Sequence, residues 1–260
     1  MSSQMEAGVA PRRLGIWQIQ PGGLAGSTAL IDGLDVESGD RIVDLAPGTG
    51  DAGLLATQKN IYSWTGVCAD AAEAGFVSGM VPSPVTRTQT GHPDHTGLPD
   101  ESATVVISEG LLAGRDADSQ SAVVGEAARL LRPNGRLGLH ELCLRATGLS
   151  ETATAGIRAQ LAEPANGSLN PLTEAEWCAL VRGAGLEIES IEYEPIVVPS
   201  SRAVIRHNGL RRGRQLLRRA HSGGSQGAQA GKLVTSQSGR FAGIIIIARR
   251  PYVGALRVRA

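Results

Sequence analysis

The sequence is poor in aromatic residues, which make up 3% of its 260 residues, whereas hydrophobic residues make up 42%. Its core must therefore be built mainly from Leu, Ile, Val and Ala. This composition favours a sheet covered by helices on both faces over an aromatic-rich β-sandwich. The length allows one substantial core with a modest cap, so we expect a single domain over 1–260.

Cysteine is also scarce, and no long apolar run occurs. Cys68, Cys143 and Cys178 are far apart and form no C-x-x-C pattern, which argues against a disulfide framework and a zinc site and is typical of reduced thiols. Every apolar run is much shorter than the roughly 20 residues that a membrane-spanning helix needs. Arg12 and Arg13 are not followed by the apolar segment of a secretory signal. The sequence therefore predicts a cytoplasmic protein with no membrane span and no bound metal.

Acidic residues are absent after Glu194, while the same stretch carries thirteen Lys and Arg. Such a split can mark contact with nucleic acid or an anionic lipid surface, or a basic segment that packs on its own acidic body. We favour the second interpretation. Gly209 and Gly213 interrupt any amphipathic membrane helix in the basic segment, and no aromatic residues are interleaved there to stack on bases. We expect no nucleic-acid partner. The segment is compatible with an anionic or lipid-like small molecule, or is a solvated loop.

Helix-like and strand-like segments alternate along the chain. The pattern predicts strands over 41–46, 62–69, 85–88, 103–108, 136–144, 186–194 and 241–249. It predicts helices over 24–36, 51–58, 71–80, 119–131 and 173–181, the last opened by a capping box from Thr173 to Glu176. Pro133-Asn134-Gly135 predicts a turn before the fifth strand. Strands separated by helices imply right-handed crossovers and a doubly wound, mostly parallel α/β sheet.

The chain divides into four regions by this pattern. Residues 1–36 are predicted to form an N-terminal helical segment, and 37–145 a core of alternating strands and helices. The segments 146–170 and 199–239 are predicted to be insertions into this pattern. The first of these insertions shows no strong strand character.

A glycine-rich loop follows the first predicted strand. Residues 48–53 satisfy G-x-G-x-x-G, and Asp70 lies near the distance at which a dinucleotide fold places its ribose-binding carboxylate. Asp44, however, ends the apolar run, and three residues separate it from Gly48. A carboxylate there suits a ligand with an ammonium group and is unfavourable beside a pyrophosphate. The loop alone leaves two cofactors open, and its setting argues against a dinucleotide.

The stretch Val-Asp-Leu-Ala-Pro-Gly-Thr-Gly at 43–50 resembles the first motif of class I S-adenosylmethionine-dependent methyltransferases. The resemblance is to the ubiquinone/menaquinone-biosynthesis-type branch and its bacterial relatives, and it covers roughly 15–195. The other matching segments follow in family order at 21–25, 65–70, 96–102, 108–112, 130–136, 140–142, 171–177 and 184–186.

This resemblance implies a Rossmann-like methyltransferase fold with seven strands, the last of them antiparallel. It implies S-adenosylmethionine (SAM) as cofactor and S-adenosylhomocysteine (SAH) as product. It also implies that 1–36 form a lid, that 37–145 form the cofactor-binding core, and that 146–170 and 199–239 are cap insertions on the substrate side. Cys68 stands where relatives carry the acidic residue that holds the ribose, and Asp70 could take its place. His92 stands where relatives have an adenine-contacting Asp. The residues expected to bind cofactor are Asp44, Ala46, Pro47, Gly48, Gly50, Cys68, Asp70, His92, Pro93, Ser108 and Glu109.

The carboxyl ends of the fourth and fifth strands carry the candidate catalytic residues, because ligands bind at that edge of an open α/β sheet. His140 is the candidate general base, since histidine exchanges protons near neutral pH. The alternative is a histidine that only completes a hydrogen-bond network. Glu109 is expected to position the cofactor or a helix rather than take a proton. Glu141 alternates to the opposite face and is expected to bind a neighbouring helix or an Arg.

Three hypotheses on function remain open from the sequence. The first is methyl transfer from SAM to a small molecule, and the second is a protein that binds SAM or SAH without turnover. The third, a nucleic-acid methyltransferase, rests on the basic tail alone. The fourth strand ends in Ser108-Glu109-Gly110-Leu111 and lacks the Asn/Asp-Pro-Pro-aromatic motif of base aminomethylases.

Overall fold

The computed structural model describes residues 22–163, 169–196 and 236–252, with single positions between 202 and 234. Within these residues seven strands form one sheet. The strands are β1 (Arg41–Asp44), β2 (Ser63–Cys68), β3 (Thr86–Thr90), β4 (Ala103–Glu109), β5 (Leu131–Leu144), β6 (Glu187–Glu194) and β7 (Phe241–Arg249). The helices are α1 (Gly23–Gly33), α2 (Asp51–Thr57), α3 (Ala71–Met80), α4 (Ala117–Leu130), α5 (Glu151–Ala162) and α6 (Glu174–Gly183).

The sheet order is β3-β2-β1-β4-β5-β7-β6. Strands β1 to β5 run parallel, and β7 is antiparallel to both β5 and β6. The predicted doubly wound, mostly parallel sheet with an antiparallel last strand is therefore confirmed. The chain order reverses between β1 and β4, so the carboxyl ends of these two strands flank the crevice in which such sheets bind ligands.

Two apolar layers cover the sheet, one on each face. The first lies under α1, α2 and α3 and includes Leu30, Trp64 and Ile245; the second lies under α4 and α6 and includes Val106 and Trp177. All seven residues of β4 except Glu109 are buried, as expected for a central strand with helices on both sides. A third, smaller cluster lies at the far end of β5 under α5.

One sequence prediction differs from the structure, and one helix was not predicted. The predicted turn at 133–135 lies inside β5. Leu131 pairs with Ala103 and Arg136 with Val105, so β5 advances by five residues where β4 advances by two. Asn134 takes a φ of 64°, which places the turn in the strand as a bulge. The segment 146–170 contains α5, for which Ser150 is the N-cap and accepts a hydrogen bond from Ala153 N. Its mixed Ala, Thr and Gly composition hid the helix.

Helix α1 is held close to the sheet. A Cβ at Gly138 of β5 would lie 2.7 Å from Leu34 Cδ1 and 2.8 Å from Leu30 Cδ1, so only glycine allows this approach. At its start, Gly22 N donates to Pro195 O beyond β6 at 3.0 Å. The described part of the predicted N-terminal segment thus packs on β5 and β7; residues 1–21 lie outside the described residues.

The basic C-terminal part is described from 236 to 252. There Arg249 pairs with Glu189 of β6, and Arg250 pairs with Glu101 at 3.0 Å. These two contacts agree with a basic segment that packs on its own acidic body. Most of the arginine-rich 199–239 insertion lies outside the described residues.

Candidate functional site

A row of polar side chains crosses four adjacent strands at their carboxyl ends. It consists of Cys68 on β2, Asp44 on β1, Glu109 on β4 and His140 on β5. Asp44 is paired with Gly66 and Ile107, and Glu109 is paired with His140. Because side chains alternate along a strand, these four share the sheet face that α1 covers. The sequence predictions for these residues thus converge on one edge of the sheet.

The loop after β1 turns tightly at Pro47–Gly50. Gly50 N donates to Pro47 O at 2.6 Å, and Gly48 and Gly50 adopt φ of 49° and 78°. A Cβ at Gly50 would lie 2.9 Å from Val81 Cγ2. Both glycines are therefore required by backbone conformation, and Gly50 also by space.

The third glycine of the pattern has a different function. A Cβ at Gly53 would lie 2.7 Å from Trp64 Cζ2, and one at Gly66 would lie 2.5 Å from Trp64 Cη2. The indole of Trp64 is fully buried between these two glycines. The match to G-x-G-x-x-G is explained at Gly53 by the packing of this indole, and it requires no dinucleotide.

Asp44 is a buried carboxylate, 1% exposed, at the end of β1. Burial raises its pKa well above the usual range, the negative charge of Glu109 raises it further, and a hydrogen bond from the backbone of Ala46 offsets part of the rise. Its Oδ1 has no hydrogen-bond partner among the residues that the structure describes. Glu73 adds negative potential from α3. This environment favours a cationic ligand beside Asp44.

His140 is fully buried and is bound to Glu109. Its Nδ1 lies 2.9 Å from Glu109 Oε1, and Ser27 Oγ of α1 donates to the same oxygen at 2.8 Å. His140 Nε2 has no partner within the described part of the chain. The arrangement leaves one imidazole nitrogen bound to a carboxylate and the other available to a ligand.

Glu141 lies on the opposite face, as predicted, but its partner is neither a helix nor an arginine. Its carboxylate accepts backbone hydrogen bonds from Leu111 and Leu112 at 2.7 Å each, and from Ala113 at 3.2 Å. Burial raises its pKa to about 7, although the three N–H donors favour the charged form. Glu141 therefore holds the loop that follows Glu109.

The other predicted cofactor residues are arranged around this row. Pro47 is buried and Ala46 half-buried, whereas Ser108 lies on the opposite face from Glu109 with no partner for its Oγ among the described residues. Asp70 lies beyond the end of β2, not on the strand face of Cys68. It is exposed and caps α3 by accepting from Glu73 N at 2.7 Å.

The predicted adenine contact lies in a surface turn. His92 is exposed and Pro93 buried, and His92 O accepts from His95 N at 3.0 Å. Among the described residues, no three His, Cys, Asp or Glu side chains are grouped as metal ligands. No described helix has the length and apolar content to cross a membrane.

Two residues near the site, Ser27 and Glu73, are not marked by any local sequence pattern. Ser27 is a serine within a helix of small residues, and nothing in its spacing connects it with Glu109. Glu73 was hidden because it follows the N-cap of α3 and is typical of a capped first turn. Only the packed fold brings either residue to the row of polar side chains.

The sequence matches no protein-family profile and no curated protein. Solved structures do match. The [4+2]-cyclase SpnF aligns over 88% of this chain and 81% of its own, with a TM-score of 0.64 and 17% identity. A putative methyltransferase, BH2331 of Bacillus halodurans C-125, aligns over 86% of this chain and 98% of its own, with a TM-score of 0.61 and 12% identity.

A third similar structure contains ligands. Geranyl diphosphate C-methyltransferase from Streptomyces coelicolor A3(2), in complex with Mg²⁺, geranyl diphosphate and SAH, aligns with a TM-score of 0.59 and 17% identity. The alignment covers 88% of this chain and 77% of that enzyme. At these identities the similarity establishes the fold, and the predicted Rossmann-like methyltransferase fold is confirmed.

Proposed function

We propose that this chain is a SAM-dependent methyltransferase that acts on a small-molecule acceptor. The observation that carries the proposal is Asp44. It is a fully buried carboxylate with an unpartnered oxygen among the described residues, placed between the glycine loop and Glu109. SAM carries both an ammonium group and a sulfonium, and a cation at this place would satisfy Asp44.

The residues present fit such a cofactor. The loop at Pro47–Gly50 turns on two glycines with positive φ, and the exposed Gly48 presents backbone without a side chain. Asp44 would hold the ammonium group, and Gly48 and Gly50 would let the backbone approach the methionine part. Asp70 or Glu73 would be the acidic group nearest the end of β2 for the ribose hydroxyls, since Cys68 is buried and is a poor acceptor.

SAM supplies a methyl group on a positively charged sulfur, which leaves as a neutral thioether. The protein contributes orientation. In well-aligned model systems, orientation lowers the activation barrier by about 7–11 kcal/mol. Helix α1 covers the row of polar side chains and keeps water from Ser27, Glu109 and His140. His140 Nε2 is the group that would accept a proton from the acceptor.

The acceptor site is proposed to be largely apolar. Leu142 and Leu144 follow His140 on the same face of β5, and they belong to a buried cluster with Leu161 of α5 and Phe241 of β7. A ligand that reached His140 from this side would contact apolar side chains. This supports a lipid-like acceptor over a highly charged one.

The proposal is tested by titration calorimetry with SAM, SAH and NAD. We expect the wild type to bind SAM and SAH and not NAD. Asp44→Asn should weaken SAM binding by roughly 10- to 100-fold, because truncating one partner of a buried charge pair costs about 2 kcal/mol or more. Asp118→Asn makes the same change at an exposed position of α4 and should leave the affinity unaltered. Tight NAD binding without a SAM signal would contradict the proposal.

The affinity for SAM should depend on pH through Asp44. The pKa of this carboxyl is raised in the free protein, and only the charged form attracts the cation. Binding should therefore tighten as pH rises through the raised pKa, by up to about tenfold per pH unit, with release of a proton. Dissociation constants measured from about pH 5 to 8, in buffers of different ionisation enthalpy, report both effects. Asp44→Asn should lack this pH dependence of the affinity. An identical pH profile in that variant would show that another group causes the dependence.

A second candidate function is binding of SAM or SAH without methyl transfer. The similarity to SpnF, a [4+2]-cyclase, favours it, because the same fold there carries a different activity. Incubation of the protein with methyl-labelled SAM and cell extract separates the two. Label that enters a small molecule supports methyl transfer, whereas SAM binding without any labelled product supports the second candidate.

A further inference from the structure

We propose that Ser27 is a positioning residue for His140. In this proposal Ser27 holds the carboxylate of Glu109, and Glu109 keeps the imidazole of His140 with its proton on Nδ1 and with Nε2 as the proton acceptor. The inference rests on the proposed function, because it assigns the support of the base in the same site. It also narrows the acceptor to a molecule with a removable proton.

The hydrogen-bond geometry joins the three side chains at a single atom. Ser27 Oγ and His140 Nδ1 lie 2.8 Å and 2.9 Å from Glu109 Oε1. Ser27 Oγ also lies 3.5 Å from Gly23 O of its own helix, a longer and weaker contact. The hydroxyl therefore donates to Glu109. Two donors that converge on one oxygen identify Glu109 as the acceptor and His140 Nδ1 as protonated.

Burial makes this arrangement specific. Ser27 and His140 are both 0% exposed, and the Glu109 side chain is 9% exposed. Hydrogen bonds at such a site compete little with water, so the loss of one donor changes the balance between the two imidazole tautomers.

Among the carboxylates around His140, Glu109 is the one that contacts the imidazole directly. Asp44 faces the same side from β1, and Glu141 lies on the other face of β5 with its oxygens bound to three backbone N–H groups. From β7 the residue paired with His140 is Ile245, which is apolar. The described residues of α1 that face the sheet are uncharged: Gly26, Ser27, Leu30 and Ile31.

The position of Ser27 is determined by the way α1 packs on the sheet. Leu30 lies one helical turn after Ser27, on the same side of the helix, and packs against Gly138 two residues before His140. The hydrogen bond from Gly22 N to Pro195 O fixes the start of the helix. Ser27 is therefore placed over Glu109 by two contacts that do not involve Glu109.

The chemical consequence is a balanced proton transfer. The acceptor O–H bond breaks and its proton binds His140 Nε2, while Glu109 stays hydrogen-bonded to Nδ1–H. The acceptor oxygen forms a bond to the methyl carbon as the carbon–sulfur bond of SAM breaks, and that electron pair remains on the sulfur. The site therefore suits an acceptor with a removable proton, such as a hydroxyl or an enol, over an acceptor that has no proton to lose.

Nitrogen NMR of the imidazole tests this inference without an acceptor or a cofactor. In the ¹⁵N-labelled full chain, the signals of His140 are assigned by their loss in His140→Asn. We expect the ¹⁵N chemical shift of Nδ1 to be that of a protonated imidazole nitrogen and the shift of Nε2 to be that of an unprotonated one. Ser27→Ala should shift the ratio of the two tautomers about fivefold toward the form protonated on Nε2, because Glu109 is then no longer held against Nδ1; this is the size expected for one net hydrogen bond. Ser27→Cys retains the size of the side chain with a weaker donor and should give a smaller change.

Thr28→Ala is the matched control. Thr28 is the next residue of α1, and its hydroxyl donates to Leu24 O of the same helix. This variant should leave the His140 signals unchanged. If the effect of Ser27→Ala came only from a disturbance of helix α1, Thr28→Ala would change the signals as well. A wild-type His140 protonated on Nε2, or identical His140 signals in Ser27→Ala and wild type, would overturn the inference. Because no methyl donor is used, these outcomes are independent of the SAM and NAD titrations that test the proposed function.

Discussion

Replacement of His140 by Ala is expected to lower methyl transfer by a factor of about 10² to 10⁴, the usual contribution of a positioned general base. The buried imidazole has one nitrogen bound to Glu109 and the other without a partner among the described residues. Removing it takes away the proposed proton acceptor and leaves SAM binding intact, because Asp44 and the glycine loop are unchanged. The measurement is transfer of labelled methyl from SAM into cell-extract acceptors, with SAM affinity determined in parallel.

The control is His95→Ala, which removes an exposed imidazole from the turn at 92–95. It should leave both transfer and folding unchanged. Wild-type rates in His140→Ala would show that His140 only completes a hydrogen-bond network. The general base would then have to be sought in the acceptor itself or in solvent.

Replacement of Glu141 by Ala is expected to lower the free energy of unfolding by at least about 3 kcal/mol. The change leaves the N–H groups of Leu111, Leu112 and Ala113 without their acceptor, and each unsatisfied buried donor costs about 1–3 kcal/mol. Urea unfolding measures the loss. The rate of hydrogen exchange at residues 111–113 should increase far more than the rate in β4.

Glu192→Ala is the matched control, since this carboxylate is exposed on β6. Its effect should stay within about 0.5 kcal/mol, as for most surface substitutions. An equal loss in both variants would mean that the loop after β4 is held by other contacts. One of these is the side chain of Gln120, which donates to Leu112 O at 3.0 Å.

The sequence predicts the sheet well where the pattern is determined by burial. The central strands β1 and β4 are built around the buried apolar runs 42–43 and 105–107, and β7 contains four consecutive isoleucines, so the hydrophobic effect accounts for their positions. Helix α6 is equally clear, because Thr173 and Glu176 form both hydrogen bonds of a capping box. Helix α5 carries only one fully buried residue, Leu161, and therefore lacks a strong apolar stripe.

The site is only partly predictable for a related reason. Asp44 could be identified from a local feature, a carboxylate at the end of an apolar run before a glycine loop. The partners of Glu141 and the contact between Ser27 and Glu109 join residues that are 28–30 and 82 positions apart. Such contacts depend on the register of β4 with β5 and on how closely α1 approaches Gly138. Neither quantity is encoded in a short motif.

The packing of Trp64 between Gly53 and Gly66 makes the glycine loop visible by fluorescence. A Cβ at Gly66 would lie 3.1 Å from Pro47 Cγ as well as against the indole, so the ring lies beside the residue at which the loop turns. The indole is fully buried, and its Nε1 has no partner among the described residues. A shift of the loop alters the surroundings of a natural chromophore, which needs no label and disturbs no residue of the polar row.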